Sequence, residues 1–349
     1  MSRKTLIILF IITVAAIAAT VLIRTPRQDS GPMAQGPYFP ALLARSNDVR
    51  KAIVKDPEST TTISNDDGQW VIEEKGNYPA SIDKVRELVL GLARLQRLEG
   101  KTGNPDHYAR LELGDVSDPD STSKLVQLVN GSGSDMAVLI VGKEKRTQSG
   151  SFRRQFYVRS PGDPQAWLVE GLLPDLNGAI AWMDTSLLGP DWGDIRSVTI
   201  STGADSWTVA RDSTEKEAYT LEDLTPNEEV ESQYIINNIV RSFTDLTFDD
   251  VRPAPAAGEK TDRTEVVAQT FDGVRVGLTL NKQGDQFYGR LTAGFDPTGE
   301  PNESMEDAVS KHNDLWRVWE YVLPGYQVEN IIAPRESLIK KEVEAPVEQ

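Results

Sequence analysis

Two histidines, no cysteine and a scatter of carboxylates are the main resources this 349-residue chain has for chemistry. Zero cysteines remove disulfides, thiolate metal sites and cysteine nucleophiles together. His107 and His312 each lack a second histidine at ligand spacing, which argues against zinc sites of the usual kind. His107 lies between Asp106 and Tyr108 in a polar stretch and reads as a surface side chain rather than a general base. No G-x-S-x-G elbow supports a serine–histidine–acid triad. Asp115, Asp118 and Asp120 form a carboxylate cluster of the type that coordinates calcium. They lack the EF-hand spacing and its terminal glutamate, so a solvated loop is the favoured reading. Adjacent pairs, Asp249-Asp250 and Glu73-Glu74, would point to opposite sides of a strand and cannot share a proton.

Two glycine motifs fail on similar grounds. Gly100-Lys101-Thr102 has the ending of a phosphate-binding loop, but Leu95 occupies the position of its first glycine. It is also expected to follow a helix, whereas the phosphate loop joins a strand to a helix. Gly131-Ser132-Gly133 has Met136 where a dinucleotide fingerprint needs its third glycine. The expectation is therefore a protein with no catalytic residue, no cofactor site and no enzyme activity.

The elements that would position these residues appear twice, and the expected class is α+β, with antiparallel or mixed sheets that each carry a packed helix. Thr60–Ser64 and Trp70–Glu73 alternate about the turn Asn65-Asp66-Asp67-Gly68. Ser81 is placed to cap a helix whose Ile82, Val85, Leu88, Val89, Leu92 and Leu95 share one face, with Gly100 as its stop. Leu125–Val129, the turn Asn130-Gly131 and Met136–Val141 read as a hairpin, followed by a strand at Gln155–Arg159. Val198–Ser201 and Trp207–Ala210 repeat the first pair. A helix follows with Val230, Tyr234, Ile235, Ile239, Phe243 and Leu246 on one face. Thr264–Phe271, Asp272-Gly273 and Val274–Leu280 repeat the hairpin, and Gln286–Arg290 repeats the last strand. A period this long implies duplication of a whole domain rather than a solenoid. Ser304–Leu323 reads as a helix stopped by Pro324-Gly325, with Trp316 and Trp319 in a packing stripe on one face. The expected organisation is a leader and anchor over 1–24, a stalk over 25–39, one unit over 40–190, a second over 191–334 and a disordered tail over 335–349.

Thr5–Ile23 is an apolar run flanked by Arg3, Lys4, Arg24 and Arg27. As a helix it would be roughly 28 Å long, close to a bilayer's hydrocarbon core of about 30 Å. Two readings stand, a single-pass transmembrane anchor and a secretory signal cut after Ala16-Ile17-Ala18, and the length of the run favours the anchor. The basic flanks are nearly balanced, yet a four-residue leader before a long soluble part fits an amino end in the cytoplasm and a body outside the bacterial inner membrane. Thr25–Pro40, with four prolines and two glycines, cannot continue a helix and reads as a stalk. A net charge of −16 argues against nucleic acid, whose phosphates demand clustered Lys and Arg. With no disulfides, the body must rely on a large core.

Several segments, taken in order, resemble a bacterial family known as domain of unknown function 4340. They are Phe39-Pro40-Ala41-Leu42, Asn47-Asp48-Val49, Trp70, Tyr78-Pro79-Ala80, Glu99-Gly100-Lys101-Thr102, Asn104–Tyr108, Leu139–Gly142, Phe156–Arg159 and Trp182-Met183-Asp184. The resemblance implies single-pass envelope proteins, many of them encoded beside ABC-type transporters related to gliding-motility systems. It supplies no catalytic position. The leading expectation is an anchored, extracytoplasmic accessory module for an ABC-type permease or envelope assembly. The alternatives are a periplasmic sensor of a small molecule or glycan, and a carboxylate hydrolase.

Overall fold

The computed structural model of the chain describes residues 36–145, 154–188, 192, 194–203, 205–222, 224–255, 263–296 and 303–340. The anchor expected at Thr5–Ile23 lies outside them. Among the described residues no helix is long and apolar enough to cross a membrane. The fold is mixed α and β, with two antiparallel sheets and few helices. The chain divides into two compact units: 79–182 with the residues up to 74, and 183–349 with the short segment 75–78.

The first sheet has ten strands: β1 (Gly36–Pro37), β2 (Val49–Lys55), β3 (Thr60–Asp66), β4 (Gln69–Ile72), β5 (Tyr78–Pro79), β6 (Gln96–Gly100), β7 (Lys124–Asn130), β8 (Asp135–Lys145), β9 (Arg154–Arg159) and β10 (Trp167–Gly171). Their spatial order is β1-β6-β10-β9-β8-β7-β2-β3-β4-β5. Helix α1 (Ile82–Ala93) precedes β6, and a single turn, α2 (Tyr108–Leu111), precedes β7. The second sheet holds β11 (Ile195–Thr202), β12 (Asp205–Ala210), β13 (Thr220–Leu221), β14 (Asp250–Pro253), β15 (Thr264–Thr270), β16 (Val274–Gln283), β17 (Gln286–Phe295) and β18 (Trp319–Leu323). Their order is β13-β12-β11-β15-β16-β17-β18-β14. Helices α3 (Gln233–Thr244), α4 (Glu303–Trp316) and α5 (Gly325–Ile331) complete that unit.

The two orders are one order. Read from β14, the second sheet matches the first from β6 through β4 strand for strand, and α1 and α3 occupy the same place in the succession. Both units place four successive antiparallel strands beside a strand from the start of the unit. The second differs by inserting α4 between β17 and β18. Asn313 fastens α4 to the sheet by copying a strand's pairing: its Oδ1 accepts from Ala293 N at 2.8 Å and its Nδ2 donates to Ala293 O at 2.9 Å.

Local chemistry explains the turns and ends. Asp67 and Gly68, both at positive φ, close the β3–β4 hairpin with the geometry that suits strand twist. The β7–β8 turn is longer than Asn130-Gly131. It runs through Ser134, and Asn130 Oδ1 accepts from the N–H groups of Ser132 and Ser134. Gly142 is required by a neighbour: a Cβ there would stand 2.2 Å from Leu111 O and 2.7 Å from Glu112 O. The chain passes that point with Glu112 in the left-handed region.

Several expectations are corrected. Helix α1 stops at Ala93 rather than running toward Gly100, because Gln96–Gly100 is drawn into the sheet between β1 and β10. Ser81 sits at its N-cap position without a side-chain cap bond; its N–H donates to Trp182 O at 2.8 Å. The buried face of α3 is Ile236, Ile239, Val240 and Phe243, one step from the expected Tyr234 and Ile235. Trp316 ends α4 and Trp319 begins β18; both are buried, but in different elements, since Trp319, Tyr321 and Leu323 alternate inward at strand spacing. Residues 36–38 belong to the fold rather than the stalk: Gly36 and Pro37 pair with β6, and Tyr38 is buried. Residues 335–340 are not a frayed tail. Leu338 is fully buried, Glu231 N–H donates to Leu338 O, and Lys340 N–H donates to Glu229 O. Segment 75–78 is held by its own chemistry, with Lys75 Nζ 2.6 Å from Asp250 Oδ1 and the buried Tyr78 ring edge-on to Phe248 and Trp319.

Candidate functional site

Most polar side chains with chemical potential are occupied by structural work. Arg159 is buried. Its Nε donates to Leu113 O at 2.8 Å, its Nη2 to Asp115 Oδ1 at 2.7 Å, and its guanidinium lies over the Tyr108 ring. Asp115 is thereby committed. Asp118 Oδ1 instead caps the backbone of Asp120. The three carboxylates proposed for calcium are not brought together, and among the described residues no group of three or more His, Asp or Glu is arranged to hold a metal.

His107 is exposed, with Nδ1 3.4 Å from Thr102 Oγ1. His312 is held by Ala308 O at 2.8 Å and by the rings of Trp192 and Trp316. Gly100-Lys101-Thr102 begins on the last residue of strand β6, not after a helix as expected. It continues as a paired backbone, with Lys101 N–H donating to Ala166 O and Ala166 N–H to Thr102 O, so no loop forms to cradle a phosphate. Glu73 and Glu74 diverge, one to Lys51 and the other to the N–H of Thr62. Lys51 holds the Glu73 carboxyl below its ordinary value.

The motif Asn104–Tyr108 proves architectural. Asn104 Oδ1 caps the turn by accepting from Asp106 N–H, and Tyr108 Oη donates to Pro164 O at 2.7 Å. In the second unit, Glu320 is almost wholly buried and takes two bonds from Arg252 on one oxygen, at 2.6 and 2.8 Å. Arg252 in turn covers the Tyr288 ring, 3.8 Å from its centroid.

One concavity has unspent polar groups. It is a cleft of about 440 Å³ in the second unit, formed where the β12–β13 connection folds over the start of β11 and meets α3. Arg211 builds its inner wall, with a side chain only 9% exposed. Its Nε donates to Ile195 O at 3.0 Å, Nη1 to Lys216 O at 2.9 Å and Nη2 to Asp194 Oδ1 at 2.9 Å, while Tyr219 and Phe271 flank its plane. Tyr219 Oη donates to Ile195 O at 2.7 Å, and burial pushes its phenol above the ordinary value.

The other wall is the polar stripe of α3. Tyr234, Asn237, Asn238 and Arg241 recur three and four residues apart and therefore share one face, opposite the buried one. Asn237 Oδ1 is engaged by Tyr219 N–H and Gln233 Nε2. The side chains of Asn238 and Glu217 make no hydrogen bond or ion pair among the described residues, and Tyr234 is 73% exposed. Sequence reasoning missed this site because it assigned Tyr234 to the apolar face. The signal was present in the 3–4 spacing of Tyr, Asn, Asn and Arg.

No curated protein and no solved structure matches the chain. A family model described as domain of unknown function (DUF4340) matches residues 70–265, from β4 to the start of β15, spanning residues of both units. That is more than half of the 349 residues, and the chain belongs to the DUF4340 family.

Proposed function

We propose that this protein is an accessory interaction module, tethered to the membrane by Thr5–Ile23, with its two sheet units outside the cytoplasm. Its place is beside an ABC-type permease or another envelope assembly. The observation that carries this reading is the commitment of the polar side chains. Arg159, Arg252, Glu320, Asp115 and Lys75 all hold loops and strands in place. A catalytic site needs the opposite, titratable groups converging on a space where a substrate can sit. The repetition of one strand order in two units also supports presentation of surface rather than turnover. The net charge of −16 favours a basic or polar partner face over anionic lipid.

The test is affinity purification of the tagged full chain from crosslinked membranes. Recovery of permease or ATPase subunits is expected. Recovery of the chain alone would contradict the proposal.

A further inference from the structure

We propose that the cleft between α3 and the β12–β13 connection is a binding site for a neutral saccharide. This goes beyond the accessory role and stands on the second unit alone. The volume, about 440 Å³, lies within the range of roughly 300–1,000 Å³ usual for small-molecule sites. Its charges decide the class of ligand. Arg211 is spent on Asp194 and two backbone carbonyls, so it offers no free fork for a carboxylate or phosphate. Arg241 is drawn toward Asp245, at 3.5 Å. Asp194 and Glu217 would repel an anion at the rim, while the two arginines oppose a cation.

What remains are hydrogen-bonding groups without a fixed partner and an aromatic face. The Asn238 amide both donates and accepts, and the Glu217 carboxylate accepts, a combination suited to vicinal hydroxyls that do both. Tyr234 presents a ring whose negative π-face attracts the weakly positive C–H face of a pyranose. Arg211, with its side chain only 9% exposed, and buried Tyr219 keep the inner wall rigid before a ligand arrives, so little entropy is lost to ordering on binding.

The experiment uses the full chain in detergent on an array of bacterial and simple neutral glycans, followed by calorimetric titration of the strongest binder. Glucose 6-phosphate and putrescine serve as charged controls. Saturable binding of a neutral sugar is expected, weakened by about tenfold or more in Tyr234→Ala and in Asn238→Ala. Tyr326→Ala, at an exposed tyrosine outside the cleft, is expected to bind as the parent does. Neither side chain makes a hydrogen bond among the described residues, so both variants should fold, which circular dichroism checks. No glycan bound, tighter binding of either charged control, or affinity unchanged in both cleft variants would each overturn the proposal. Loss of the sugar site would leave recovery of permease subunits unaffected, so the two proposals fail separately.

Discussion

Replacing Asp56 by Asn isolates a single ion pair at the β2–β3 turn. Asp56 Oδ2 lies 2.7 Å from Lys124 Nζ, while Oδ1 accepts from the N–H groups of Glu58 and Ser59 at 3.0 and 2.7 Å. Burial would raise this carboxyl, but Lys124 and the Ser59 donors outweigh it and hold it at about 2, against an ordinary 3.8. The full linkage is roughly 2.4 kcal/mol. The two side chains are 15% and 23% exposed, so water screens part of it and about 1–2 kcal/mol should remain. Asn keeps the Oδ1 acceptor and removes only the charge, whereas Ala also loses the turn bonds and costs about 1 kcal/mol more. Because the folded carboxyl lies below the unfolded one, the stabilisation is present above pH 4 and is lost as pH falls toward 2. Urea denaturation followed by circular dichroism should give the Asp56→Asn difference in full at pH 7 and only about a sixth of it at pH 2, where the folded carboxyl is half protonated. Equal stability at pH 7, or a difference at pH 2 as large as that at pH 7, would contradict this linkage.

Three further outcomes follow from named contacts. Gly91→Ala places a methyl 2.1 Å from Leu172 O; despite a helix-propensity gain of about 1 kcal/mol, it should lose about 3 kcal/mol overall, read from thermal melts. Arg252→Met strands the buried Glu320 and should cost about 3–5 kcal/mol in urea denaturation, while adding Glu320→Met should recover most of it. Deleting residues 1–24 should release the body from membranes, whereas the full chain should stay in the pellet after an alkaline carbonate wash.

What could be read from the residues was whatever depends on neighbours in the chain. The hairpins at Asp67-Gly68 and Asp272-Gly273 announce themselves because turn residues sit between alternating strands. What distant segments decide was hidden. Gln96–Gly100 continues a helical pattern in sequence, yet its partners β1 and β10 lie far along the chain on either side. Trp319–Leu323 satisfies helix and strand spacing alike until β14 and β17 bracket it. Residues 335–340 are polar and look frayed, but Glu228 and Glu229 wait for Arg335 and Lys340 more than a hundred residues earlier. Arg335 holds Glu228 at about 2, well under the usual carboxylate range. The cleft was obscured by a one-residue error in helical phase, enough to turn Tyr234 from the open side of α3 into its core.

The accessory role is tested most directly by the mass of the particle the protein occupies in its own membranes. Extraction in mild detergent, without crosslinker, followed by native mass spectrometry reports it. A particle well above the chain's 38.6 kDa, releasing permease or ATPase subunits in fixed ratio, is the predicted result. A mass of one chain, or of several copies of this chain and nothing else, would contradict it.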